Sequence, residues 1–188
     1  MTKEPARKFY LKEFKAISHA ISSYEDLHLL INHLVEGTTR TFEAKGCSIM
    51  LYDDREKQLF QVGSYGISEK YLLKGPIFVD DKYSAFVKGK PVFIEDIQND
   101  PRLQYPEAAK KEGIVSMLSI PITFRGTSIG LIRIYHDRLR GFNKEDINAL
   151  SILAEHLGLV IENNGLKNFL EKVKVAIDSL PVRMLNGL

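Results

Sequence analysis

The chain has 188 residues, of which 44% are hydrophobic and 27% charged, with a formal net charge of +2. That length suits one domain of ordinary size with extra helices, and that apolar share supports a real core. The near-neutral balance gives no general attraction to nucleic acid or to an anionic membrane, so neither is expected as a partner.

The first helix is predicted over 6–21, where Tyr10, Phe14, Ile17 and Ile21 recur at spacings that place them on one stripe. Ser22-Ser23 breaks it, and Ser23 with Asp26 makes a capping-box-like start for a second helix. Leu27, Leu30, Ile31, Leu34, Val35 and Thr38 form a wide apolar face on that helix, suited to lying on a sheet. Lys45-Gly46 ends it. A strand over 47–52, a polar turn over 53–57 and a hairpin partner over 59–65 follow.

Beyond Gly66 the pattern becomes irregular. Ser68 caps a short helix over 69–73, stopped by Gly75-Pro76, and Asp80 or Asp81 caps another that ends at Gly89 and Pro91. Val92-Phe93-Ile94 reads as a short strand. Asp100-Pro101 signals a helix start, with an acidic N-cap and proline at the first helical position, and that helix ends near Gly113. Strands over 115–124 and 128–136 flank a turn at Arg125-Gly126. Asn143 and Asp146 box the start of a last helix running from about 144 towards 180, where Pro181 stops it.

The last helix carries two stripes. Ile147, Leu150, Ala154, Leu157 and Ile161 suit packing on the sheet. Ile152, Leu159, Leu166, Leu170, Val173, Ile177 and Leu180 follow a heptad series, with His156 and Asn163 as polar members. A helix that is apolar on two sides must be buried on two sides. The second cover is either the 6–21 helix or the same helix of a second chain. The part past Gly165 extends beyond a globular domain, which favours a homodimer with Tyr10, Phe14, Ile17, Ile152, Leu159, Leu166 and Leu170 as interface candidates. The chain thus divides into an N-terminal helix (1–22), a domain (23–164) and a helical extension with tail (165–188).

Little in the chain has the spacing of catalytic or metal chemistry. The five histidines form no tight ligand pair, so no metal is expected. Cys47 is the one cysteine, excludes an intrachain disulfide, and reads as a small buried hydrophobe in a reducing compartment. No nucleophile elbow, phosphate loop or dinucleotide fingerprint is present. No apolar run approaches the ~20 residues that span a bilayer, and no apolar signal core follows Met1, so a cytoplasmic location is expected. The notable constellation lies between Gly66 and Gly113, whose short elements must roof one face of the sheet. It brings Phe78, Tyr83, Phe86, Phe93 and Tyr105, with Asp96 and Arg102 as polar candidates. On the strand over 115–124, alternation places Met117 and Ser119 towards this roof, and Leu118 and Ile120 towards the helices carrying Leu30 and Leu157.

Three short pieces anchor the middle of the chain: Ser64-Tyr65-Gly66-Ile67-Ser68, Pro91-Val92-Phe93-Ile94-Glu95-Asp96, and Leu118-Ser119-Ile120-Pro121-Ile122 followed by Gly126 and Gly130. In this order and spacing, from about Asp26 to Asn164, the chain resembles a GAF domain. The resemblance implies an α+β, GAF/PAS-like fold, with a twisted antiparallel sheet of about six strands. Terminal helices would cover one face and pair with a second subunit, while pocket-forming helices and loops roof the other. It implies a non-catalytic sensory or signal-transmission module that binds an unidentified small molecule, or a dimerisation module with a filled pocket; an unrecognised enzyme acting through the middle loops is the third alternative. No particular cofactor is implied.

Specialised branches of the family fit less well. Phe142 and Asp146 match half of the cyclic-nucleotide motif, but Ile147 replaces its Glu, and His136-Asp137 stand where Asn-Lys is expected. The middle region has no cysteine to attach a bilin. The family's free methionine sulfoxide reductases use several cysteines, whereas one thiol cannot supply both nucleophile and resolving partner.

Overall fold

The computed structural model describes residues 26–79 and 84–178. The 6–21 helix with Tyr10, Phe14 and Ile17 lies outside the described residues, as do Tyr83 and the proposed cap at Asp80 or Asp81. Helix α1 (Leu27–Thr41) begins where the Asp26 side chain accepts from the amides of His28 and Leu29. Asp26 is therefore the cap itself, not the third residue of a box. The helix ends at Phe42, earlier than Lys45-Gly46, because Glu43 takes a left-handed φ of 46°.

Strands β1 (Gly46–Asp53) and β2 (Gln58–Tyr65) form the first hairpin, and helix α2 (Glu69–Leu72) follows on the Ser68 cap. Strand β3 (Ile77–Phe78) has only two residues and pairs with β2 at Gln58 and Leu59. Helix α3 (Ala85–Lys88) is capped by Ser84 and closed by left-handed Gly89. Strand β4 (Val92–Ile94) precedes a turn in which Asp100 bonds the amide of Arg102. Asp100-Pro101 thus nucleates a turn, and helix α4 (Pro106–Glu112) starts at the next proline. Strands β5 (Ser116–Phe124) and β6 (Thr127–His136) lead to helix α5 (Lys144–Asp178), whose start is boxed by Asn143 and Asp146.

The strands form one antiparallel sheet in the order β3-β2-β1-β6-β5-β4, giving an α+β architecture. Residues paired across neighbouring strands share a face, so the register sorts every side chain. Phe93, Leu118, Ile134 and Cys47 form one row, and Ile120, Ile132 and Ile49 the next. Both rows meet Leu30, Ile31, Leu34 and Val35 of α1 and Leu150, Leu153, Ala154 and Leu157 of α5 in one continuous apolar layer. No described helix is long and apolar enough to cross a membrane.

Helix α5 approaches the sheet closely at Gly158. A Cβ there would stand 2.2 Å from the Thr123 carbonyl oxygen. Backbone cannot yield as a flexible side chain can. Gly158→Ala is therefore expected to cost about 1–3 kcal/mol, as overpacking does. Gly165 has nothing within 4 Å of such a Cβ, and Gly165→Ala should instead stabilise by about 0.5–1 kcal/mol through helix propensity. Urea denaturation of both variants checks the contrast.

His136, at the end of β6, is fully buried, and neither ring nitrogen has a hydrogen-bond partner among the described residues. Its ring lies 5.3 Å from that of Phe142. Burial first, then the charges of Arg140 and Arg138, push its pKa down from 6.5 to about 4, against a small opposing pull from Asp137. The unfolded chain therefore takes up a proton before the folded one does. The histidine's effect on stability is absent above pH 6.5 and becomes a growing loss as pH falls towards about 4. Urea unfolding across that window should show a steeper loss for the native chain than for His136→Leu.

Candidate ligand site

The face of the sheet opposite α1 and α5 is built differently. Its apolar residues form two clusters instead of one. Ile94, Met117 and Tyr135 pack with Tyr71, Ile97, Ala109 and Ile114, whereas Met50 and Leu131 pack with Leu59, Ile77, Val79 and Ala85. Between them runs the row Val92–Ser119–Arg133–Ser48–Ser64, one residue from each of five neighbouring strands. A guanidinium flanked by serines thus divides the roof-side core.

The roof is pinned at several points. Tyr71 of α2 meets Tyr135 edge-on at 5.9 Å, and the Tyr135 hydroxyl pairs with that of Ser48 at 2.9 Å. Glu112 of α4 accepts from both the amide and the hydroxyl of Ser68, tying α4 to the cap of α2. The Tyr105 hydroxyl donates to the Pro76 carbonyl at 2.7 Å, and Gln104 donates to the Phe78 carbonyl at 2.8 Å. Arg102 grips Asp100 with Nε and NH2 and reaches the Phe93 carbonyl at 3.4 Å. That grip holds the Asp100 carboxyl below its ordinary pKa.

Under this roof lies a cavity of about 40 Å³, lined by residues that include Phe78, Arg102, Tyr105, Met117 and Ser119, all of them picked out by the sequence. Met117 and Ser119 face the roof while Leu118 and Ile120 face the helices, in the expected sense. Phe93 does not line the cavity. It pairs with Leu118, so it points to the helices, with its ring 5.8 Å from that of Phe142. Phe86 is also outside the lining and packs against Tyr52 at 4.8 Å. Asp96 instead closes a turn, accepting from the Gln98 amide and the Asn99 side chain. Tyr83 lies outside the described residues.

Sequence reasoning missed Arg133, Lys74, Tyr71, Val92 and Ile94, which also line the cavity. Arg133 was detectable: it interrupts the strand Leu131–Tyr135, whose other members are apolar or aromatic. Among the described residues the buried Arg133 Nε has no hydrogen-bond partner. Lys74 donates to the Tyr71 carbonyl at 3.2 Å and sits 3.9 Å from the Tyr71 ring centre. Burial and the nearby Arg133 charge lower its pKa to about 8. Tyr71 and Lys74 also line a second, outer cleft of about 250 Å³ between α2 and α4, with Lys70, Lys111 and Glu112.

Other chemistry has little support. Among the described residues no group of His, Cys, Asp and Glu is placed to hold a metal. Cys47 is buried in the helix-side layer, and burial pushes its thiol pKa up, so the unreactive protonated form dominates.

The comparisons with known proteins agree with this architecture. The solved GAF domain of a phosphoenolpyruvate-protein phosphotransferase from Coxiella burnetii is similar, with a TM-score of 0.77 at 20% identity over 88% of this chain and 99% of that one. A domain of a putative two-component sensor histidine kinase from Sinorhizobium meliloti 1021 gives a TM-score of 0.68 at 19% identity, over 79% and 99% of the two chains. The free methionine-R-sulfoxide reductase of Neisseria meningitidis, solved with its substrate, gives 0.73 at 18% identity, over 89% and 96%. No curated protein matches the chain in sequence. The family model for the GAF domain matches residues 25–162, and the chain belongs to the GAF domain family.

Proposed function

We propose that the chain is a non-catalytic sensory or signal-transmission module that acts as a cytoplasmic homodimer and holds a small molecule beneath the roof. The observation that carries this reading is the split roof-side core, with a cavity where the polar row crosses it. A domain serving only as a scaffold has no need to interrupt its core with Arg133. A ligand moves such a module only by binding one arrangement more tightly than another.

Catalysis is disfavoured by the groups on hand. Among the described residues, the lining holds neither histidine nor carboxylate to serve as general base, and the one thiol is sealed on the opposite face. The reductase with a similar fold is solved with its substrate, but its chemistry does not follow from the fold.

A second reading, a dimerisation module with a filled pocket, draws on the cavity's size. About 40 Å³ is far below the ~300–1,000 Å³ of ordinary ligand sites. A native mass spectrum of gently purified protein separates the two. A retained small molecule is expected, and consistently ligand-free protein favours the filled module. The same size argument, with the incomplete nucleotide motif, predicts no tight cyclic GMP binding. Calorimetry should detect no submicromolar affinity, which would correspond to more than ~8 kcal/mol.

The dimer reading rests on α5. Ile152, Leu159, Leu166, Leu170 and Val173 are exposed in a single chain, and every described side chain from Gly165 to Val175 faces solvent. Free apolar stripes of this length are normally buried by association. Light scattering at micromolar concentration should give twice the chain mass. Leu159 and Leu166 are 48% and 58% exposed, so replacing both with Asp should yield a folded monomer. A double variant that stays dimeric places the interface elsewhere.

A further inference from the structure

We propose that the cavity beneath the roof is a site for a small oxyanion, a phosphate or the carboxylate of a short acid, with Arg133 as its main contact and Ser119 and Lys74 beside it. This rests on the ligand-binding reading above and names the chemistry of the ligand. Three cations, Lys74, Arg102 and Arg133, line the cavity, and among the described residues its lining contains no carboxylate.

The three differ in what already balances them. Arg102 is held by Asp100 from the neighbouring turn. Lys74 feels Glu112, but both oxygens of that carboxylate accept from Ser68. Arg133 has no ion pair among the described residues; its side chain bonds only the neutral Tyr135 hydroxyl there, and its Nε is buried with no acceptor among them. Arg133 is half-buried, and a cation partly removed from water without a counter-charge carries a cost, to which a buried N–H without an acceptor adds. Two such cations also repel each other, which is one reason the Lys74 pKa falls to about 8. One anion between them relieves all three penalties.

Position and size agree. Ser119 and Arg133 are cross-strand partners on the cavity face, so a hydroxyl and a guanidinium meet the same space. A water needs roughly 10–15 Å³ of such volume. About 40 Å³ therefore suits a small polyatomic anion and excludes a nucleotide or an extended cofactor. The planar guanidinium is suited to two-pronged contact with either a phosphate or a carboxylate.

The test is titration of the full chain with inorganic phosphate, with acetate and, as a neutral control, with acetamide. Calorimetry gives the affinities, and amide NMR shifts locate the site. Saturable binding of phosphate or acetate at millimolar concentration or tighter is expected, with the largest shifts at Ser119, Arg133 and Ser48 and none with acetamide. Whichever anion binds more tightly identifies the source of the oxyanion. Arg133→Gln should weaken binding by about tenfold or more, equivalent to ~1.4 kcal/mol, while Lys110→Gln on the outer roof should leave it unchanged. The proposal is overturned if neither anion saturates, if the shifts fall elsewhere, or if the two substitutions weaken binding equally. Should Arg133→Gln fail to fold, the location of the shifts in the unaltered chain decides the matter alone. A neutral compound retained in the native mass spectrum, together with no anion binding, would overturn this assignment and leave the sensory reading standing.

Discussion

The register in which β5 pairs with β6 governs both sides of the sheet. Leu118 opposite Ile134, and Ile120 opposite Ile132, give one face to aliphatic packing. The intervening positions, Met117, Ser119 and Arg133, then have no choice but the other face. A slip of β6 by one residue would drive Arg133 into the layer shared by α1 and α5 and turn Ile132 and Ile134 beneath the roof. The continuous helix-side layer resists that slip, because every residue in it would lose its place together. The polar row on the roof side is thus held in position by an apolar layer it does not touch.

This arrangement also connects the two regions of interest. Ser119 lines the cavity, and its immediate neighbours Leu118 and Ile120 lie in the layer that contains Leu157 of α5. Next to Leu157 is Gly158, the point at which the helix comes too close to β5 for a side chain. Interiors packed at this density transmit displacement and do not absorb it. In the sensory reading, a ligand that draws Ser119 and Arg133 together would be felt at Leu118 and Ile120. The exposed stripe of α5 lies on the same helix, so in that reading the route from the cavity to the proposed subunit contact needs no additional element.

Much of this was legible from the sequence, and the omissions have physical causes. Strands β1, β2, β5 and β6 and helices α1 and α5 are long enough for periodicity to declare their type, and for α1, α5 and β5 also the face each turns to the sheet, helices or roof. Strand β3 was invisible, since two residues carry no alternation and its existence depends on pairing with β2. Phe93 was misplaced for a related reason. In a three-residue strand the middle residue points away from its neighbours, and only the partner Leu118 reveals which way. Asp100-Pro101 has the composition of a helix start, yet Arg102 captures the Asp100 carboxylate and turns the chain first. Aromatic residues suggested the outline of the pocket, but its polar centre came from Arg133, a residue that strand periodicity alone reads as one more inward or outward position.

His136 and Arg133 of β6 meet burial to different degrees: His136 is fully buried, whereas Arg133 is half-buried with its Nε enclosed. His136 has no hydrogen-bond partner at either nitrogen among the described residues and answers burial by remaining neutral, since its proton is cheaply lost near neutral pH. Arg133 has no such escape, because a guanidinium keeps its charge at any pH a folded protein meets. A half-buried charge is stabilised by an opposite charge placed beside it. Among the described lining residues none is a carboxylate, and Arg133 itself lines the open volume. Neutral His136 and charged Arg133 are three residues apart on one strand and on opposite faces. The sheet therefore separates a layer of neutral groups from one whose Arg133, without an ion pair among the described residues, has space beside it for an anion.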